Sequence, residues 1–100
     1  MLQIEKTQDG TGMTVSITER LDTISAPDFD NEVNKKLDGV QDLTIDVAEL
    51  EYISSAGLRV LLTAAKVMGA KGGTCIIVNV PQSISDIFEM TGFDQILDIR

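Results

Sequence analysis

The chain has 100 residues, 43% of them hydrophobic, which suits one domain with a modest core and is too apolar for a disordered segment. Its formal charge of −8 argues against nucleic acid or an anionic membrane surface as a partner, because both are met by clustered Lys and Arg. With no histidine and one cysteine, it excludes Ser-His-Asp and Cys-His nucleophile activation, an internal disulfide and the common zinc ligand sets.

In chain order, the opening "MLQIEKTQDG" lacks the basic-then-apolar pattern of a secretory signal. No apolar run reaches the roughly 18 residues of a membrane span, and together these features predict a cytoplasmic protein. Leu2, Ile4 and Lys6 alternate with polar residues as in a strand, "DGTG" (residues 9–12) signals a turn, and Met13, Val15 and Ile17 alternate in a second strand, so a hairpin is predicted. In "ERLDTISAPDFDNEVNKKLDG", Ser25 is placed to cap a helix with Pro27 in its first turn. Ala26, Phe29, Val33 and Leu37 follow at helical spacing, and Gly39 is the stop.

"LTIDVAEL" reads as one buried strand through Leu43, Ile45 and Val47. "ISSAGLRVLLTAAKVMGAKGG" reads as a helix ending near Gly69–Gly73. "TCIIVNV" is a near-continuous apolar run, as expected of a strand covered on both faces, with Cys75 a small core residue. "PQSISDIFEMTG" is a helix starting at Pro81, burying Ile84, Ile87 and Phe88 and ending at Gly92, and "QILDI" is a last short strand. The prediction is one α/β domain over residues 1–100: a mixed sheet of four to five strands with three to four helices, in the order ββαβαβα(β).

The serine pair in "YISSAGLRVLL" (residues 52–62) stands at the mouth of the middle helix. Either hydroxyl can accept a hydrogen bond from an unpaired first-turn N–H, a contribution of roughly 1 kcal/mol, but capping needs only one of them. Gly57 weakens the first turn relative to alanine, and its missing side chain lets another group approach the backbone. A helix N-terminus also suits a phosphate, so a phosphoserine at Ser55 would leave the fold intact and alter the surface.

Along this helix Leu58, Leu61, Leu62, Ala65 and Met68 form an apolar face and Arg59, Thr63 and Lys66 a polar stripe. Val60, Ala64 and Val67 widen the apolar arc, either because neighbours flank the helix on both sides or because an edge meets a partner. No Gly-Lys-Ser/Thr phosphate loop occurs. The abundant Asp and Glu form no recognisable acid/base pair, which argues against a small enzyme.

Three stretches carry a family resemblance. "ERLDTISAPDF" is similar to an Arg-Leu-Asp loop entering a first helix, "LTIDVAELEYISSAGLRVLL" to a strand, acidic loop, serine pair and Gly-Leu helix, and "GGTCIIVNVPQSISDIFEMTGFD" to a final strand–helix unit. Over essentially its whole length the chain resembles the STAS domain, specifically the stand-alone bacterial anti-sigma factor antagonists. Members are phosphorylated on a Ser or Thr two residues before the motif glycine, which here is Ser55. Asp is common just before it, and Ser54 stands there instead.

The resemblance implies that the unmodified protein binds an anti-sigma factor with serine kinase activity and frees the sigma factor. Phosphorylation of Ser55 ends binding, and a serine phosphatase resets the cycle. The chain is then a substrate rather than an enzyme and has no cofactor of its own. Asp22, Ser54, Ser55, Ala56, Gly57, Arg59 and Val60 are the implied partner-binding residues. Asp22 is expected near Ser55 if the second strand ends beside the third, with Asp46, Glu49 and Glu51 lining the approach. Some family members work without phosphorylation as scaffold subunits of lipid-transport or sensory complexes, which is the alternative reading.

Overall fold

The computed structural model describes residues 2–100. Its elements are β1 (Gln3–Asp9), β2 (Gly12–Leu21), α1 (Ala26–Glu32), β3 (Asp42–Asp46), β4 (Leu50–Ile53), α2 (Ser55–Ala70), β5 (Thr74–Val78), α3 (Gln82–Thr91) and β6 (Asp98–Ile99). Short 310 turns lie at Asn34–Lys36 and Phe93–Gln95. The predicted hairpin is present: β1 pairs antiparallel with β2, from Gln3 opposite Thr18 to Asp9 opposite Gly12, and Gly10 supplies the left-handed φ of 62° at the turn.

The strands run β1-β2-β3-β5-β6 across the sheet, with every pairing after the first parallel, and β4 pairs with the far half of β2. The sheet therefore has six strands rather than four or five. The extra one arises where "LTIDVAEL", read as one strand, runs on into "EYI": β3 ends at Asp46 and β4 spans Leu50–Ile53. Asp46 stops β3 by accepting the Ala48 N–H through its own carboxylate at 3.0 Å, a local turn that competes with the ladder. Leu50 N–H then bonds Val47 O, and the chain re-enters the sheet as β4. Strand β2 changes partner between Ser16, the last residue opposite β3, and Glu19, the first opposite β4; within the β4 pairing the register then shifts between Glu19 and Arg20, where Glu19 takes φ 72°.

The crossovers step the same way each time, from β2 to β3 to β5 to β6. Right-handed connections therefore set all three helices on one face of the sheet. On that face Met13, Val15, Ile17, Leu43, Ile45, Val47 and Ile77 pack against Phe29, Val33, Leu37, Leu58, Leu61, Ala64, Met68, Ile84 and Phe88 in one core. The other face carries Thr14, Ser16, Thr18, Thr44 and Asp46, all half-buried or exposed. By register, Ile76 stands beside Thr44 and Val78 beside Asp46 on this open face, and both are half-buried. The run "TCIIVNV" is thus covered on one face, not on two, because no helix crosses to the other side.

The first helix departs from its expected length for a similar local reason. Regular α-helix ends at Glu32, and the chain tightens into the 310 turn, yet Phe29, Val33 and Leu37 all stay buried. Asn34, itself buried, donates Nδ2–H to the Val60 carbonyl at 3.0 Å and to Asp30 Oδ1 at 3.1 Å, tying this segment to the side of α2. Ala64 belongs to the buried face of α2, while Leu62, Ala65, Val60 and Val67 are half-buried flanks against neighbours. Pro81 is the N-cap of α3, Gly92 ends that helix at φ 77°, and Ile87 is half-buried beside the buried Ile84 and Phe88.

Two predictions follow from this packing. Asn34→Asp sets a carboxylate against the Val60 carbonyl and the Asp30 carboxylate, so it should cost about 2 kcal/mol near neutral pH. Its folded-state pKa is raised, so the loss should be least below the unfolded value near ~3.9 and grow as pH rises through the folded value. Denaturant unfolding across that range checks both the size and the sign. Burial, with some help from Asp98, pushes the Cys75 thiol up to about 11. Labelling with a disulfide reagent at pH 8 should therefore run on the order of a hundredfold slower than for an unstructured cysteine.

Candidate functional site

Strands β2 and β4 end together, with Leu21 opposite Ile53, so the chain leaves the sheet side by side at Asp22 and at Ser54. Asp22 thus lies beside the serine pair because β2 ends against β4, not against β3 as expected. This is the edge at the C-terminal ends of the parallel strands, where connections to helices gather in open α/β sheets.

The two serines have different surroundings. Ser54 is the N-cap of α2: its backbone is extended (φ −97°, ψ 177°), and its Oγ accepts the Gly57 N–H at 3.3 Å. Its own N–H donates to Leu21 O at 3.0 Å, which fixes the helix start to the end of β2. Ser55 is the first residue of α2 and is exposed, and among the described residues its hydroxyl has no hydrogen-bond partner. The open choice between the two hydroxyls is resolved: Ser54 caps, and Ser55 points its chemistry outward.

Gly57 is buried, and the group that approaches its backbone is β2. A Cβ at this position would sit against the Leu21 carbonyl oxygen and 2.8 Å from Ile53 Cγ1. Only a residue without a side chain lets the first turn of α2 lie on the ends of β2 and β4.

The loop after β2 is held by its own polar groups. Asp22 Oδ1 accepts the N–H groups of Ile24 at 3.0 Å and Ser25 at 3.1 Å. Ser25 Oγ accepts the Asp22 N–H at 2.9 Å and donates to the Arg20 carbonyl at 2.8 Å. Ser25 stands at the N-cap position of α1 but makes no side-chain cap, because its hydroxyl is spent on closing this loop. The Ser25 N–H above all holds the Asp22 carboxyl below the usual carboxylate range; the Ser25 hydroxyl, the Ile24 N–H and Arg20 act in the same direction and partial desolvation opposes them. Arg20 lies 3.5 Å from Asp22 Oδ2 and stacks 4.3 Å over the Tyr52 ring. Asp22 is therefore first a loop organiser, not a free surface charge.

Ala56, Arg59 and Val60 line one side of an open groove of about 390 Å³, with Thr63 beside them and Thr23, Ala26, Pro27 and Asp30 opposite. Asp22 lines a neighbouring groove with Leu2, Arg20, Ile24, Ser25 and Asp28. The fold thus gathers all the sequence-predicted residues at one end of the sheet, but Asp22 faces a different groove from Ala56, Arg59 and Val60. Of the acidic residues expected on the approach, Asp46 is engaged in structure, bonding Ala48 N–H and Asn79 Nδ2, while Glu49 and Glu51 are exposed. Ile24, at the tip of the loop after β2, is exposed and was not singled out from the sequence. Its signal was available as an isoleucine between Thr23 and Ser25 that fits no apolar period.

The Gly57 contact sets up a paired test by thermal or denaturant unfolding. Gly57→Ala should destabilise the domain by about 2 kcal/mol or more despite alanine's better helix propensity, because the clash is with backbone. Gly69→Ala, in the same helix with nothing within 4 Å of the added carbon, should stabilise it by about 0.5–1 kcal/mol.

The family model described as the STAS domain matches residues 3–100. The anti-sigma-B factor antagonist of Bacillus subtilis is 26% identical over 98 residues, covering 98% of this chain and 90% of the relative. An anti-sigma factor antagonist from Mycobacterium paratuberculosis superposes with a TM-score of 0.86 at 20% identity, over 99% of this chain and 85% of that one. Bacillus SpoIIAA in its phosphorylated form shares the fold with a TM-score of 0.76 at 15% identity, over 100% of this chain and 91% of that one. Its unphosphorylated form gives a TM-score of 0.73, also at 15% identity, with 96% and 97% covered. With the family model matched from the first strand to the last residue, this chain belongs to the STAS domain family.

Proposed function

We propose that this chain is an anti-sigma factor antagonist: in its unmodified form it binds an anti-sigma factor, and phosphorylation of Ser55 ends that binding. The observation that carries the reading is the division of labour at the start of α2, where Ser54 takes the capping bond and leaves Ser55 exposed and unbonded. The names of the relatives point the same way, and the same fold is known for SpoIIAA in both phosphorylated and unphosphorylated forms.

The anti-sigma factor is then also the serine kinase. Ser55 Oγ attacks the γ-phosphorus of ATP held by that partner, ADP leaves, and the hydroxyl proton passes to a base of the kinase. The partner supplies Mg²⁺, ATP and the charge-neutralising groups, so the chain is substrate and needs no catalytic residue of its own. A phosphatase restores the hydroxyl by hydrolysis. The contact surface comprises Asp22, Ser54, Ser55, Ala56, Gly57, Arg59 and Val60, with Gly57 and Asp22 acting by shaping it.

The energetics separate fold from binding. A phosphate on Ser55 carries a charge of about −1.5 to −2 and sits where the unpaired N–H groups and dipole of α2 favour an anion, so the domain tolerates it. A partner surface fitted to a neutral hydroxyl must instead desolvate that charge beside an already acidic chain of formal charge −8.

Ser55→Asp should leave the thermal unfolding curve close to wild type and weaken binding to the anti-sigma factor at least tenfold, about 1.4 kcal/mol. Ser55→Ala should bind like wild type and accept no phosphate from Mg–ATP and the kinase. Wild-type affinity in Ser55→Asp, measured by titration calorimetry, would overturn the switch.

A further inference from the structure

We propose that Ile24 is the apolar anchor by which the anti-sigma factor kinase grips this chain, seated in an apolar socket of the partner that is bordered by Lys or Arg. The inference deepens the functional reading above and rests on Ser55 being the residue that this partner phosphorylates.

Ile24 is 88% exposed, the most exposed large apolar side chain among the described residues. It is not on a loose loop. Its own N–H and that of Ser25 are bound by the Asp22 carboxylate, and the Ser25 hydroxyl closes the turn onto Arg20 O. The isoleucine is thus held out from a backbone already fixed, so little ordering entropy remains to be lost when it is buried by a partner. An apolar side chain that is presented rigidly and enters a desolvated pocket is what an interface hot spot needs.

Position and charge select the occupant. Asp22 and Ser54 leave the sheet side by side, so the ridge carrying Ile24 and the hydroxyl of Ser55 fall under one visiting surface. The ridge separates two grooves, with Asp28 beside the one and Asp30 beside the other. A basic rim around an apolar socket complements that pattern. Met90 is 85% exposed, but it lies in the last turn of α3, which runs back from this edge toward the opposite end of the strands. It serves as the control for exposed apolar surface in general.

The test uses the full chain and the purified anti-sigma factor kinase of the source organism, identified by its Mg–ATP-dependent phosphorylation of Ser55. Ile24→Ala should raise KM for this protein substrate, and the Kd, tenfold or more with kcat nearly unchanged. Ile24→Val should restore most of the affinity, and Met90→Ala should match wild type; all three should melt like wild type. If Ser55→Asp loses binding while Ile24→Ala binds like wild type, the anchor is wrong and the switch stands. If Met90→Ala weakens binding as much as Ile24→Ala, the effect is general and the anchor is again wrong. If Ser55→Asp itself binds like wild type, or no kinase modifies Ser55, the functional reading falls and the anchor falls with it.

Discussion

The close approach of Gly57 to the Leu21 carbonyl organises this molecule's working end. Where β2 and β4 finish together, Leu21 O accepts the Ser54 N–H, and the missing Gly57 side chain lets the first turn of α2 rest on the strand ends. From that contact the rest follows in order. Ser54 adopts the extended backbone of an N-cap and turns its Oγ inward to the Gly57 N–H, and the next residue must then open the helix facing outward. An added methyl group at residue 57 would lift the helix start off the sheet and rotate Ser55 away from its neighbours.

On the proposed reading, the same edge lets a modification alter binding without disturbing the fold. Capping is complete before any modification, so phosphate chemistry at Ser55 competes with no bond that holds α2. The helix end offers unpaired N–H groups that favour an anion, whereas the chain that a partner meets carries a formal charge of −8. A single added charge is therefore nearly neutral inside the domain and costly across an interface. The loop of Asp22 to Ser25 adds the second element, a ridge whose backbone is set by a carboxylate and a hydroxyl before any partner arrives.

Much of this was legible in the chain because its signals are local. Alternation along Met13, Val15 and Ile17, the period of Leu58, Leu61 and Met68, and the stop at Gly92 each describe a single element, whereas the stop expected at Gly39 fell earlier, at Glu32. What escaped depended on tertiary placement. The break after Asp46 and the return as β4 depend on a partner, the far half of β2, that lies 31 to 32 residues earlier in the chain. Whether "TCIIV" is covered once or twice depends on the hand of three crossovers, not on its composition. Ser25 has the sequence position of a cap, but its hydroxyl closes the loop onto the Arg20 carbonyl five residues back. Helix-end chemistry left the cap open between the two serines; the family resemblance implied Ser55 as the modified one, and the structure makes Ser54 the cap.

The central claim is that a phosphate on Ser55 changes what the surface binds and not how the chain folds. Hydrogen exchange of the enzymatically phosphorylated chain, run beside calorimetric titration with the anti-sigma factor, tests it directly. Amides of α2 should keep or gain protection while affinity falls at least tenfold, about 1.4 kcal/mol. Loss of protection along α2, or an affinity indistinguishable from that of the unphosphorylated chain, would contradict it.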